Sequence, residues 1–156
     1  MRNTALAFGS LLLLAACQPD PFKEIGPDYS LVEGISGTWT LSGMELTDET
    51  QPIPETKDVT NLFLADPMTV QFDYNAGTYQ VTDPGYGSDW IGNGGNFAFN
   101  NAEFPSAMSL YPTGGDTLEV ELTQMVRSID VEMGFKLHSD LCGDANLTYT
   151  YSFIRQ

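Results

Sequence analysis

Met68-Thr69-Val70-Gln71-Phe72 and Thr78-Tyr79-Gln80-Val81, with Tyr74-Asn75-Ala76-Gly77 between them, decide the class of fold. Apolar and polar side chains alternate through both runs, which is the period of a half-buried strand and not of a helix. The intervening residues carry the Asn and Gly of a tight hairpin turn. The same period extends outward in both directions. Gly37-Thr38-Trp39-Thr40-Leu41 opens a first strand with Trp39 and Leu41 on one face. Asn96-Phe97-Ala98-Phe99 is a fourth strand and Ala107–Tyr111 a fifth, followed by a turn at Pro112-Thr113-Gly114-Gly115-Asp116. Leu118, Val120 and Leu122 line a sixth strand. Ile129, Val131, Met133, Phe135 and Leu137 line a seventh, and Leu147, Tyr149, Tyr151 and Phe153 share a face on the last.

Eight sequential strands with short turns, each with one apolar face, must close a barrel or stack two sheets, because open edges invite aggregation. The expected fold is all-β: an eight-stranded antiparallel up-and-down barrel over residues 35–156. The stretch Asp48–Asn61, with Pro52 and Pro54, reads as a long polar connection with a short helix near Asp58–Leu64. Trp39, Leu41, Val70, Phe72, Tyr79, Phe97, Phe99, Val120, Val131, Phe135, Tyr149 and Tyr151 are expected to face inward. At eight strands such side chains either fill the interior or leave room for one small ligand. Both outcomes fit the alternation.

The N-terminus carries an address. Arg2 precedes the apolar run Ala5–Ala16, which is too short to span a bilayer. The run ends Leu14-Ala15-Ala16-Cys17, which resembles a bacterial lipobox. That resemblance implies removal of residues 1–16 and acylation of Cys17, with several acyl chains forming a stable membrane anchor. Gln18 at the next position resembles lipoproteins sent to the outer membrane. Residues 17–34 read as the lipidated Cys and a tether, since Gln18–Glu33 holds three prolines and no apolar period. The tether would span at most roughly 55 Å when fully extended.

The net charge is −15 for the whole chain and becomes −16 once Arg2 is lost. That balance argues against nucleic acid or anionic headgroups as partners. One His and two Cys exclude the common zinc, iron–sulfur and disulfide-rich classes. With Cys17 acylated, Cys142 has no partner and is either buried or a free thiol. His138 lies four residues upstream in an expected loop, with nothing to orient it as a base.

Three places could carry binding chemistry. The loop from Asp83 to Gly95 has five glycines in 13 residues, with Tyr86, Asp89 and Trp90 among them. Flat aromatics beside Asp and Asn suit sugar rings or apolar ligands at a barrel mouth. Asp83 and Asp89 also form a carboxylate pair, with no feature that would raise either pKa. The barrel interior is the second place. The third follows if strands six and seven meet at a tight turn near Met125-Val126. Glu121 would then face Asp130 and Glu119 would face Glu132, a four-carboxylate face that a hard cation could relieve.

Gly37-Thr38-Trp39 resembles the Gly-x-Trp signature of lipocalins, in which the Trp plugs one end of the barrel. Gly94-Gly95-Asn96-Phe97, Phe104-Pro105-Ser106 and the ending Cys142…Asn146-Leu147-Thr148-Tyr149-Thr150-Tyr151-Ser152-Phe153 are similar to lipocalin-like lipoproteins of Bacteroidetes. The resemblance covers about Ile35–Arg155. It implies a lipocalin-like (calycin) barrel on a lipid anchor in the cell envelope, near nutrient-uptake systems, and it brings no catalytic residues. The expected function is therefore a non-catalytic, outer-membrane-anchored protein that holds a small apolar ligand or glycan through Tyr86, Asp89 and Trp90, with Trp39 as structural plug. No cofactor, metal ligand or catalytic residue is assigned. The alternative is an accessory lipoprotein with a filled barrel that docks onto an outer-membrane uptake complex.

Overall fold

The computed structural model describes residues 30–63, 65–82, 91–141 and 144–156, with no side-chain description for 140, 141 and 144–146. Nine strands form in chain order: β1 (Gly37–Asp48), β2 (Glu55–Asp58), β3 (Thr69–Asp73), β4 (Thr78–Thr82), β5 (Gly94–Phe99), β6 (Ala107–Pro112), β7 (Leu118–Leu122), β8 (Glu132–Leu141) and β9 (Asp144–Arg155). Every neighbouring pair from β3 to β9 is antiparallel, and β1 pairs with both β3 and β9. Eight strands therefore close into an up-and-down barrel. Closure leaves no free edge on the ring.

β2 is the ninth strand and stands outside the ring. β1 is 12 residues long; Gly37–Thr40 pair with β3, and further along the same edge Glu45–Asp48 pair with β2. The polar connection thus supplies a strand, Glu55–Asp58, where sequence reading expects none. Its residues are all exposed, so no alternation marks it. The short helix expected near Asp58–Leu64 is a single 3-10 turn, Thr60–Leu62, with its start held by Asp58 Oδ1 accepting from the Thr60 amide at 2.8 Å.

Alternation places the apolar face of each strand inward. Trp39 faces Val70, Phe72 faces Tyr79, Phe97 faces Leu110, Met108 faces Val120, and Met133 faces Phe153. Aromatic rings then cross the lumen. Phe72 on β3 meets Phe97 on β5 edge-to-face at 5.2 Å and Phe135 on β8 at 6.2 Å, and Phe135 meets Phe153 on β9 at 5.4 Å. Such spacings are those of packed aromatic pairs. Met44, Met68, Met108 and Met133 are buried in the same cluster, where flexible thioethers fill irregular gaps. Phe99 and Tyr149 pack against it half-buried.

One end of the barrel, the floor, carries the residues that lead into β1. Val32, Gly34 and Ile35 are buried there, within and just after the stretch read as tether. Trp39 is fully buried and donates its indole Nε1–H to the Ile35 carbonyl at 2.7 Å. The Arg155 guanidinium lies 4.7 Å from the Trp39 ring centroid and also donates to the Gly34 carbonyl. A cation over an indole face is attracted by the ring quadrupole. The opposite end, the rim, carries the β1–β2 and β6–β7 connections.

The expected pairing of the sixth and seventh strands is corrected. Glu121 on β7 faces Lys136 on β8, and Leu122 faces Phe135, six positions beyond the expected partners Asp130 and Ile129. An even shift keeps every side chain on its original face, so alternation alone does not detect it. The cause lies in residues 123–131, which form a loop across the floor and not a tight turn. Val126 is buried in that loop, whereas Ile129 and Val131 are exposed and Val131 does not enter the lumen. Asp130 locks the loop by accepting from the Arg127 amide at 2.7 Å, from its Nε at 3.2 Å and from its second guanidinium nitrogen at 3.0 Å. The four-carboxylate face of Glu119, Glu121, Asp130 and Glu132 does not form. Likewise, His138 lies on β8, not in a loop.

Truncating Phe72→Ala removes the ring shared by three aromatic contacts. It is expected to cost about 3–5 kcal/mol, read as a lower urea midpoint. A second expectation concerns acid. Hydrogen bonding from the Arg127 side chain holds the Asp130 carboxyl below its ordinary value of 3.8. A depressed carboxyl stabilises the fold above its unfolded pKa, and that contribution fades as pH falls through the lower folded value. The stability gap between the wild type and Asp130→Asn, measured by thermal melts, should be full at pH 7 and narrow below 3.8.

Candidate functional site

The outward faces of β3, β4 and β5 are polar because the alternation that sends Val70, Phe72, Tyr79 and Phe97 inward sends Gln71, Asp73, Thr78, Gln80 and Asn96 outward. An open cleft of about 1010 Å³ runs along this wall. Gln71, Gln80, Asn93 and Asn96 contribute amides to it, Thr78 and Thr113 hydroxyls, and Gly92–Gly95 an uncluttered backbone floor. Asp73 is the one charged residue among these, and its Oδ1 already accepts from the Ala76 amide at 3.0 Å. Among the described residues, no hydrogen bond occupies the side-chain amides of Gln71, Gln80 and Asn96.

The glycines have a steric reason. Gly94 holds φ at +143°, and a Cβ there would lie 2.6 Å from the Tyr79 carbonyl oxygen. A Cβ on Gly95 would collide with the Tyr111 backbone. Close approach of β4, β5 and β6 therefore requires residues without side chains at both positions. The glycine segment of the cleft is pinned from the lumen side. Tyr79 is buried, and its phenol donates to the Ile91 carbonyl at 2.8 Å. Burial pushes this phenol above its ordinary pKa, so it stays a neutral donor across the working range. The Val81 amide bonds the Asn93 carbonyl at 3.0 Å, and the Thr113 amide bonds the Gly94 carbonyl at 2.9 Å. Tyr111, the cross-strand partner of Asn96, presents a 44% exposed side chain on the same face of the sheet.

The sequence-derived site residues fall unevenly. Trp39 lies under the barrel as described above, far along the wall from the rim. Cys17, Asp83, Tyr86, Asp89, Trp90 and Cys142 lie outside the described residues. Trp90 directly precedes Ile91, whose carbonyl the Tyr79 phenol holds. Sequence reading missed Gln71, Gln80 and Asn96, although their signal was present: amides at alternate positions on consecutive strands must share an outer face.

A second polar cluster lies near the rim. The Thr148 hydroxyl is buried and donates to Glu49 Oε1 at 2.6 Å, while His138 Nδ1 stands 2.9 Å from the same hydroxyl oxygen. With the Thr148 hydroxyl hydrogen directed at Glu49, His138 Nδ1–H is the donor to Thr148 Oγ1, and Nε2 then faces Glu121 at 3.5 Å. Each member has a structural partner. Among the described residues, no group of three or more His, Cys, Asp and Glu side chains is placed to hold a metal ion.

Tyr79→Phe removes the bond to Ile91 while keeping the ring. It is expected to cost about 1 kcal/mol in chemical denaturation and to speed amide exchange at residues 91–94.

No protein-family model matches the sequence, and no curated protein matches it.

Proposed function

We propose that this protein is a non-catalytic binding protein, exported and held to a bacterial membrane through Cys17, that takes a neutral glycan in the outer-wall cleft of β3–β5. The observation that carries the reading is the pairing of a lumen crossed by aromatic rings with a polar cleft outside it. An apolar ligand would need the space that Phe72, Phe97, Phe135 and Phe153 occupy. Sugar hydroxyls need groups that both donate and accept, and the amides of Gln71, Gln80 and Asn96 do both. Neutral sugars are favoured because Asp73 and a net charge of −15 repel anionic ones. Tyr111 beside Asn96 offers an aromatic face of the kind that packs on the apolar side of a sugar ring. Tyr86, Asp89 and Trp90 belong to this reading as residues of the segment that leads into the cleft floor.

The test is calorimetric titration of the purified protein with a panel of neutral oligosaccharides. Saturable binding to at least one of them is expected. Gln80→Ala and Asn96→Ala should each weaken it by roughly tenfold, the equivalent of one good hydrogen bond of about 1.4 kcal/mol. Binding that survives both substitutions unchanged would move the site elsewhere. Heat and saturation with a fatty acid, and none with any sugar, would refute the glycan reading.

A further inference from the structure

Five of the large apolar side chains left exposed gather toward the floor of the barrel. Ile129 is 68% exposed, Val131 65%, Phe104 64%, Ile154 46% and Met125 38%. Met125, Ile129 and Val131 lie on the loop that joins β7 to β8, and Phe104 lies on the loop that joins β5 to β6. The two loops are neighbours: the Leu122 amide, where the first begins, donates to the Ser106 carbonyl, where the second ends, at 2.8 Å. Ile154 faces Glu132 at the start of β8, and the next amide, Arg155, donates to the Val131 carbonyl at 2.9 Å. These side chains therefore share one end of the molecule.

The chain also reaches the barrel at that end. Arg155 donates to the Gly34 carbonyl, and Gly34 packs its backbone on Val126 and Arg127, in the same loop as Met125 and Ile129. Ser30, the first described residue, lies four positions before Gly34. The described connections at the other end, the rim, carry Asp48, Glu49, Glu55 and Asp116, with Ile53 the large apolar side chain exposed among them.

We propose that the floor of the barrel rests on the lipid surface, with Ile129, Val131, Phe104 and Met125 seated at the headgroup–acyl boundary and the rim facing away. This orientation rests on the reading of Cys17 as a lipid anchor. An anchor within 13 residues of Ser30 keeps the apolar end at high effective concentration above the bilayer, so a patch too small to bind alone is sufficient. Charge selects the surface. Glu33, Glu103 and Glu132 border the patch, and Arg127 is already paired with Asp130. A zwitterionic bilayer fits these groups and an anionic one does not. The part of the outer-wall cleft nearer the rim, at Gly92–Gly95 and Thr113, is then left open to the water layer.

The full chain, purified with its native modification, is placed in nanodiscs of phosphatidylethanolamine and phosphatidylcholine, and hydrogen exchange is followed by mass spectrometry. Wild type is compared with the doubly substituted Ile129→Ser, Val131→Ser chain. Amides of residues 103–106 and 123–131 should exchange several-fold more slowly in wild type, with the strands equal in the two proteins as evidence that both are folded. Equal exchange at both loops in correctly acylated protein overturns the proposal. So does slow exchange that appears only at high protein concentration without lipid, which would make a second copy the occupant. The intact mass reads the anchor separately. If Cys17 carries no acyl chain, the anchor reading fails, and vesicles of the same lipids added to the soluble chain decide the patch: slower exchange in the two loops supports it and no change removes it.

Discussion

Pairing of β1 with β9 is the constraint on which the rest of the molecule depends. It runs from Trp39 opposite Arg155 to Asp48 opposite Leu147, with a bulge between Leu41 and Gly43. Without it the chain is an open sheet with two long edges and one face of aromatic rings toward water. With it, Leu41 and Met44 are brought over Phe153 and Tyr151, and the rings of β3, β5, β8 and β9 meet across a closed lumen. The same pairing sets Arg155 over the Trp39 indole and within reach of Gly34, so closing the ring also seals its floor. Joining chain ends that lie more than a hundred residues apart carries a loop-closure cost, and the continuous packing of both inner faces offsets it.

A lumen crossed by aromatic rings is what directs the proposed binding site to the outside. Alternation assigns each strand one inner and one outer row, and on β3–β5 the outer row is built from amides and hydroxyls over a floor of glycines. The glycines are explained by strand contact alone, since side chains at Gly94 and Gly95 would strike the neighbouring backbone. Their consequence is nonetheless a wall with exposed peptide groups and unpaired side-chain amides beside it. In the proposed reading, binding there makes no demand on the core, so affinity and stability would be separable. The two ends of the barrel differ in composition: exposed Phe104, Ile129 and Val131 and the incoming chain mark the floor, and Asp48, Glu49, Glu55 and Asp116 the rim.

Much of the fold was legible from period and turn chemistry. The eight ring strands, the hairpin at Tyr74–Gly77 and the turn after Pro112 all follow from local signals, as do most inward residues from Trp39 to Tyr151. What escaped was non-local. β2 has four exposed residues and pairs only because β1 outruns β3, so nothing within Glu55–Asp58 announces a strand. The β7–β8 register was misread because Ile129 and Val131 keep the correct parity while belonging to a loop whose anchor is Val126 and whose lock is Arg127 with Asp130. For the site, the glycine-rich segment and its aromatics carry a compact local signal, whereas Gln71, Gln80 and Asn96 are scattered over 26 positions and become neighbours only through strand register.

An NMR titration reads the filled lumen and the proposed polar site outside it in one sample. The side-chain amides of Gln71, Gln80 and Asn96 report on the cleft, and the methyl groups of Met44, Met68, Met108 and Met133 report on the lumen. Neutral oligosaccharide is expected to shift the amides and leave the methionine methyls in place, with a fatty acid shifting neither set. Methionine shifts that saturate with an apolar ligand, with the amides unmoved, would contradict that expectation.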